Sequence, residues 1–260
     1  MNDFYSMVLE NMKFSYSSVN SFLTCALGFK YSYLEVEDRM GNAFADFGSF
    51  CHKILEKYFK DELEVWDLTT YYQEKYAEAI KCSFPSFPPG MAENYYNQGL
   101  NFFDNFTFDK SKYEIIGIEE KLETKFGDIN LTIIPDLVLK DIETDEYILY
   151  DYKTANLFTK AGKVDKKKLE DIKKQMSLYV YFFWYIKGIE ITKVKIWAIR
   201  NNKLIEYDYD PVQGAETLEW FTSTIEKIKK EEEWSANTSE SYFCNQICSS
   251  RSFCPFLKTN

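Results

Sequence analysis

The spacing of hydrophobic and polar positions changes near Lys112 and divides the chain into a helical first part and a β-rich second part. Before Lys112, apolar residues recur at the three- and four-residue intervals of amphipathic helices. Ser17 or Ser18 is the expected N-cap of the first helix, which reaches or includes Cys25. These helices are predicted at residues 14–34, 42–62, 68–82 and 92–106.

After Lys112, alternating or continuous apolar runs bounded by turn residues are typical of β-strands. Strands are predicted at residues 113–126, 129–140, 147–154, 191–200 and 203–210, with helices at 169–188 and 211–232. This order predicts an α/β fold, a mixed central β-sheet flanked by helices, with a helical N-terminal part. We expect one domain over residues 1–260, with a helical part at 1–110, a core at 111–232 and a C-terminal tail at 233–260.

The chain is acidic, with a net charge of −10 and a pI of about 4.9. This charge argues against a protein that coats duplex DNA, although it leaves room for a local basic channel. The longest nearly apolar run, Ser177–Ile186, falls short of the roughly 18–20 residues that span a membrane. The N-terminus lacks the apolar segment of a signal peptide. We therefore expect a soluble, cytoplasmic protein with no membrane partner.

Two carboxylates and an ammonium interrupt the predicted strands: Asp136, Asp151 and Lys153. Asp151 and Lys153 share one strand face because side chains alternate. Pairing around the turn 141–146 opposes Asp136 to Asp151, and pairing around Gly127-Asp128 opposes Glu119 to Asp136. Such a row of like charges destabilises a sheet unless a cation such as Mg²⁺ or Mn²⁺ lies among them. The alternative is an edge hairpin whose acids face water.

These residues resemble the PD-(D/E)XK nucleases. Pro135-Asp136 followed by Asp151-Tyr152-Lys153 matches the motif that names the superfamily, and Gln175 with Tyr179 matches the QxxxY motif of its RecB-like branch. His52 matches the histidine of that branch's first motif. One early and three late cysteines resemble the iron–sulfur subset, which includes the AddB nuclease domain and the CRISPR-associated RecB-like exonucleases.

The resemblance implies a restriction-endonuclease-like core and metal-dependent cleavage of phosphodiester bonds at DNA ends, often on single strands. It implies that a Mg²⁺ or Mn²⁺ ion is held by His52, Asp136, Asp151 and the carbonyl of Tyr152. Lys153 would orient the attacking water or neutralise the phosphate. Glu119 is a further catalytic candidate, either behind these ligands or on a second metal, and the choice between one and two metals stays open.

Six cysteines in a cytosolic chain are more consistent with ligands or thiols than with disulfides. By resemblance, four of them hold a 4Fe–4S cluster that ties the first helix to the tail: Cys25, Cys244, Cys248 and Cys254. Three residues separate Cys244 from Cys248, where many relatives have two. A four-cysteine Zn²⁺ site is the alternative. Cys51 and Cys82 are expected to be ordinary buried thiols.

A lysine-rich stretch lies between the predicted catalytic strand and the QxxxY helix. Residues 160–174 contain seven lysines and three acids, opposite in sign to the whole chain. We predict that Lys166, Lys167 and Lys168 belong to a mobile arm that grips DNA phosphates, with a solvated loop and helix start as the alternative. By resemblance, Gln175 and Tyr179 contact DNA near the metal. The aromatic run that follows, residues 181–185, is expected to be core.

The favoured function is a metal-dependent DNA exonuclease of recombination, repair or phage DNA processing. It would act in the cytoplasm of a bacterium or a phage-infected host, alone or with a helicase or recombination partner. The alternative is a DNA-end-binding or adaptation subunit of a larger complex that cuts little by itself. The intact set of Asp136, Asp151 and Lys153 favours the enzyme.

Overall fold

The computed structural model describes residues 3–35 and 39–257, and these form two compact units that are described separately. Unit 1 combines residues 1–42, 122–133 and 215–260, and unit 2 combines residues 43–121 and 134–214. The helices are α1 Asp3–Asn11, α2 Tyr16–Thr24, α3 Ala26–Phe29, α4 Ala43–Phe59, α5 Leu68–Ala79, α6 Met91–Asp104, α7 Lys166–Lys187 and α8 Pro211–Lys230. The strands are β1 Tyr113–Ile118, β2 Leu122–Phe126, β3 Ile129–Ile133, β4 Leu137–Asp141, β5 Tyr147–Lys153, β6 Ile191–Ala198 and β7 Lys203–Asp208.

The predicted mixed α/β fold is confirmed. Among the described residues, unit 2 contains a five-stranded sheet in the order β1-β4-β5-β6-β7. Strands β5 and β6 are parallel and the other neighbours are antiparallel. Helix α7 makes the crossover that a parallel pair requires. The carboxyl ends of β5 and β6 therefore lie side by side at one edge of the sheet.

The predicted register between β4 and β5 is correct, since Leu137 pairs with Tyr150. The predicted hairpin around Gly127-Asp128 is also correct, with Leu122 opposite Ile133. This hairpin, β2–β3, belongs to unit 1, where Phe14 forms a bridge with Leu131.

Two of the predicted strands were too long. Residues 113–126 divide into β1 and β2, and residues 129–140 divide into β3 and β4. Pro135 lies at the second break, where it has no N–H to donate to a ladder. Glu119 lies at the first break with a positive φ of 47°, a bend that a continuous strand cannot contain. β4 pairs with β1, and the N–H of Glu119 donates to the carbonyl of Asp136 at 2.9 Å.

One further helix and two helix boundaries also differ from the prediction. Helix α1 was not predicted, because its acids and exposed apolar residues hide a single buried position, Leu9. Ser15, rather than Ser17 or Ser18, caps α2 and forms a reciprocal capping box with Ser18. Helix α7 begins at Lys166 because the side chain of Asp165 accepts from the N–H of Lys168 at 3.3 Å.

One face of the unit 2 sheet packs on α4, α5 and α6. The core there is largely aromatic, and it includes Tyr72, Phe103, Tyr150, Tyr152 and Trp197. Because side chains alternate along β5, Asp151 and Lys153 point to the opposite face from Tyr150 and Tyr152. The high aromatic content thus builds a rigid support beneath the strand that carries the motif.

The aromatic run on α7 is only partly core. Phe182 and Phe183 are buried as expected, but Trp184 is 50% and Tyr185 44% exposed. None of the described helices is long and apolar enough to cross a membrane.

Gly99 on α6 packs so closely against the aromatic core that an added methyl group would disturb it. A Cβ on Gly99 would lie 2.7 Å from Cζ of Tyr72 and closer still to its hydroxyl. We expect Gly99→Ala to lower the free energy of unfolding by about 1–3 kcal/mol, because overpacking outweighs the better helix propensity of alanine.

Urea denaturation measures this effect, with Asn97→Ala on the exposed side of α6 as the control. A Gly99→Ala protein as stable as that control would show that the aromatic core is looser than described.

Candidate active site

Three separate elements of unit 2 bring His52, Glu119 and Asp136 together. His52 lies on α4, Glu119 follows β1, and Asp136 precedes β4. One ligand atom from each of the three residues lies within 4.8 Å of the other two. His52 lies on a helix as predicted, whereas Glu119 and Asp136, predicted within strands, lie at the bend after β1 and in the turn before β4.

The carboxylate of Asp136 is held in one orientation and is largely buried. Its side chain is only slightly exposed, and Oδ2 accepts a 2.6 Å hydrogen bond from the N–H of Tyr152. Burial, followed by the nearby charge of Asp151, raises the pKa of Asp136 above its ordinary value. The folded chain therefore holds this carboxylate in a place where its negative charge is unfavourable.

His52 offers both ring nitrogens to acceptors. Nδ1 is 3.1 Å from Oε1 of Glu119, and Nε2 is 2.9 Å from the carbonyl oxygen of Tyr152. Only the protonated ring can donate in both directions. Burial lowers the pKa of His52, but the surrounding carboxylates outweigh burial and raise it to about 9. In the metal-free chain, the proton on His52 supplies positive charge that the carboxylates require.

The donor set fits a divalent cation in place of that proton. It combines an imidazole nitrogen, carboxylate oxygens and the carbonyl of Tyr152, and Mn²⁺ and Mg²⁺ accept such ligands. A cation there would offset the negative charge of Asp151, which contributes to the raised pKa of Asp136.

Glu119 belongs to this group of residues and has a strained backbone conformation. It has a positive φ of 47°, whereas the other described non-glycine residues with positive φ are Asp or Asn, which tolerate that region better. Strained residues are concentrated at functional sites. The bend directs Glu119 to His52 instead of continuing β1.

Asp151 and Lys153 form a second part of the site on β5. Asp151 is 1% exposed, and Nζ of Lys153 lies 2.8 Å from its Oδ1 and 2.7 Å from its Oδ2. Nζ also donates to Oε1 of Gln175 at 3.1 Å, and Nε2 of Gln175 donates to the hydroxyl of Tyr179 at 3.0 Å. The QxxxY pair therefore fixes the ammonium of Lys153, a role that the sequence interpretation missed.

An open cleft of about 540 Å³ leads to the metal-binding group from the side of α4. Its wall includes Phe44, Gly48, His52, Glu119 and Thr154. A Cβ on Gly48 would lie 3.2 Å from Oγ1 of Thr154, so glycine allows α4 to approach the end of β5 closely. The cleft thus opens onto two residues of the candidate metal-binding group, which consists of His52, Glu119 and Asp136.

Comparison with known families identifies this arrangement. The model of the PD-(D/E)XK nuclease superfamily matches residues 13–255, nearly the whole chain. The chain belongs to the PD-(D/E)XK nuclease superfamily. No curated protein sequence matches it.

Two solved structures are similar to most of this chain, and the first is similar enough to show a shared fold. One is the crystal structure of "Putative exonuclease" from Eubacterium rectale, with a TM-score of 0.55 and 12% identity, covering 100% of this chain and 94% of that chain. A second, SSO0001, has 15% identity and covers 90% of this chain and 96% of that chain, but its TM-score of 0.34 carries no weight. These likenesses concern the fold.

The three lysines that were expected to grip DNA form the first turn of α7. Lys166, Lys167 and Lys168 lie at the positive end of the helix dipole, where cations are unfavourable. Nζ of Lys168 donates to the carbonyl of Asn156 at 2.8 Å, in the loop that follows β5. They belong to a helix start near the end of β5, and a helix start was part of the alternative to a mobile arm.

In unit 1, the four cysteines assigned to a cluster line one cavity of about 410 Å³: Cys25, Cys244, Cys248 and Cys254. The sulfur of Cys25 accepts from the N–H groups of Gly28 and Asn237, at 3.4 and 3.5 Å. Thiolates around one zinc ion, each about 2.3 Å from it, would be about 3.8 Å apart. Within the described parts of the chain, no three of the sulfurs lie within 4.8 Å of one another.

The other two cysteines are outside this cavity. Cys51 is fully buried on α4, where burial raises the pKa of its thiol, and Cys82 is half-buried.

The crowded carboxylates lead to a stability prediction. Asp136→Asn removes charge from a group whose pKa is raised, and the amide oxygen can still accept from Tyr152. We expect its metal-free stability at neutral pH to equal or exceed that of the wild type. The wild type should gain about 2.7 kcal/mol at a Mn²⁺ concentration 100 times its Kd, and Asp136→Asn much less.

Thermal unfolding with and without Mn²⁺ measures both effects. Glu120→Gln is the control, because Glu120 adjoins Glu119 but pairs with Lys187 instead. Equal stabilisation of Asp136→Asn and Glu120→Gln by Mn²⁺ would place the metal elsewhere.

Proposed function

We propose that the protein is a divalent-metal-dependent deoxyribonuclease of the RecB-like branch, and that it hydrolyses phosphodiester bonds at DNA ends. One observation carries this proposal. His52, Glu119 and Asp136 lie close together at one end of the unit 2 sheet, and the ion pair of Asp151 and Lys153 lies beside them. Recombination, repair or phage DNA processing is the proposed setting, alone or with a helicase or recombination partner.

The RecB-like assignment is supported by two residues outside the PD-(D/E)XK motif. His52 reaches the metal-binding group from α4, and Gln175 reaches Lys153 from α7. Both helices therefore contribute to one site through the residues that distinguish this branch.

Asp136, Asp151, His52 and the Tyr152 carbonyl would hold the ion. A bound Mg²⁺ or Mn²⁺ supplies Lewis acidity and lowers the pKa of a coordinated water. Asp136 is oriented by the N–H of Tyr152 before any ligand arrives. Glu119 keeps the imidazole of His52 in place through Nδ1, the carboxylate–histidine pairing common at metal centres.

Lys153 is positioned to act on the phosphate. Its ammonium lies against Asp151 and Gln175, and exchanging one of these contacts for a phosphate oxygen would place its positive charge where negative charge develops. Tyr179 holds Gln175 in the orientation that presents its oxygen to Lys153. In this proposal, Gln175 and Tyr179 act on DNA through Lys153 as well as by contact.

Lys166, Lys167 and Lys168 are proposed to bind DNA phosphates before the site. An anion at the start of α7 would relieve the unfavourable placement of cations at the positive end of the helix dipole. The link from Lys168 to Asn156 directs this turn toward the end of β5.

We propose further that Cys25, Cys244, Cys248 and Cys254 hold a 4Fe–4S cluster. The proposal is supported by the cavity that all four cysteines line and by their number, since four thiolates typically hold such a cluster. The cluster would join the α2–α3 junction to the C-terminal tail within unit 1, a structural role.

The activity is tested with 5′-labelled linear single strands, linear duplexes and circular single strands under Mg²⁺, Mn²⁺ or EDTA. We expect metal-dependent degradation of linear DNA and survival of the circles. Lys153→Ala and Asp151→Asn should each lower the rate by about 10²–10³-fold, because charge on the phosphate is no longer stabilised.

Glu120→Gln is again the matched control and should cut like the wild type. Cut circles would replace the exonuclease with an endonuclease. A folded wild type that binds DNA ends but never cuts them would favour the end-binding subunit.

The metal centre of unit 1 is tested by anaerobic purification and metal analysis. We expect a brown protein with about four irons per chain and thiolate-to-iron absorption in the visible range. Cys25→Ser should lose iron and colour, and Cys82→Ser should keep both, because Cys82 lies outside the cavity. A colourless wild type with one tightly bound zinc would overturn the iron–sulfur assignment.

A further inference from the structure

Arg200 lies at the same edge of the unit 2 sheet as the candidate active site. It belongs to the short turn Ile199–Asn201, which follows β6 directly. Ala198, the last residue of β6, pairs with Lys153, the last residue of β5. Strand geometry therefore puts the Cα atoms of Arg200 and Lys153 roughly 8 Å apart.

The guanidinium of Arg200 is held in a fixed orientation by α6. Nε donates to Oε1 of Gln98 at 2.6 Å, and one terminal nitrogen donates to the hydroxyl of Tyr95 at 2.7 Å. The guanidinium carbon also lies 3.8 Å from the centre of the Tyr95 ring. These contacts leave three of the five N–H donors of an arginine side chain for another acceptor.

No carboxylate in the described part of the chain pairs with the half-buried guanidinium of Arg200. Within the described residues, its side-chain contacts are Gln98 and Tyr95, and neither carries a charge. Arg200 is half-buried, and burial lowers its pKa. A cation that is partly removed from water without an anion is costly. In a chain of net charge −10, such a cation suggests an external anion.

The surroundings of Arg200 connect it to the cleft. Tyr95 packs against Phe44, with ring centres 5.4 Å apart, and Phe44 lines the cleft together with His52. Asn201, the next residue, accepts from the N–H of Leu157 at 3.2 Å, in the loop that follows β5. Arg200 is therefore linked to the cleft wall through Tyr95 and Phe44.

We propose that Arg200 binds a backbone phosphate of the DNA strand adjacent to the bond that is cleaved, with Tyr95 and Gln98 as positioning residues. This inference rests on the proposed function, which it deepens. A planar guanidinium matches two oxygens of one phosphate, so the contact is independent of base sequence. It fixes where the strand lies relative to Lys153.

A purely structural role would be a brace between the turn after β6 and α6. The two roles differ in what they require from the charge. A brace requires only the hydrogen bonds to Gln98 and Tyr95, whereas phosphate binding releases counterions and depends on salt.

The test measures binding of a fluorescent single-stranded oligonucleotide at several salt concentrations, with Ca²⁺ as a non-cleaving substitute for Mg²⁺. We expect Arg200→Gln to weaken binding about 10-fold and to reduce the salt slope by about 0.7, the value for one phosphate on a single strand. Arg200→Lys should keep the salt slope but lose part of the affinity. Lys75→Gln, on the exposed face of α5, is the control for loss of one positive charge and should bind like the wild type.

Thermal unfolding of each variant shows whether a change in binding is accompanied by a loss of stability. If Arg200→Gln and Arg200→Lys both match Lys75→Gln in affinity and salt slope, the phosphate contact is wrong, whatever their stability. Tyr95→Phe keeps the ring beneath the guanidinium and provides a milder variant that should weaken binding less than Arg200→Gln. A wild type that cuts DNA beside an unchanged Arg200→Gln refutes this inference alone, whereas a wild type that neither binds nor cuts refutes the proposed function as well.

Discussion

The main constraint on the site is the crowding of carboxylates that the fold brings together at one end of its sheet, where their negative charges repel one another. Asp136 and Asp151 are almost fully buried, and Glu119 reaches them through a strained bend. In the metal-free chain, two cations offset this charge: the proton on His52 and the ammonium of Lys153. In the proposed function, a divalent ion replaces the first, and the second acts on a phosphate. The arrangement is stable only because cations are supplied at both ends.

The rest of unit 2 makes this crowding possible. An aromatic core packs α4, α5 and α6 against the face of the sheet opposite Asp151 and Lys153, and so holds the backbone of β5 rigidly. The N–H of Tyr152 then orients Asp136, and its carbonyl orients His52. One buried tyrosine thus links both halves of the metal-binding group through its backbone, while its ring anchors the strand in the core.

Much of this arrangement could be predicted from the sequence, because local rules determine it. Strand alternation and turn position gave the correct pairing of β4 with β5, and the same counting opposed Glu119 to Asp136. The break at Pro135 was missed because the apolar pattern continues through it, although the missing N–H was a signal. The roles of Gln175 and Arg200 could not be predicted, since each depends on a contact between distant segments. Spacing on a helix shows which residues share a face, but it does not show that Gln175 meets Lys153.

The most direct test of the central claim is the position of the metal. Crystals of the metal-free protein would be soaked in MnCl₂, and the anomalous signal of manganese would locate the ion. The account predicts a peak bounded by Asp136, Asp151, the carbonyl of Tyr152 and the imidazole of His52, with the hydrogen bond from His52 to Tyr152 broken. A peak elsewhere, or an unchanged His52–Tyr152 hydrogen bond beside an ordered ion, would contradict the claim that these carboxylates are gathered to hold a metal.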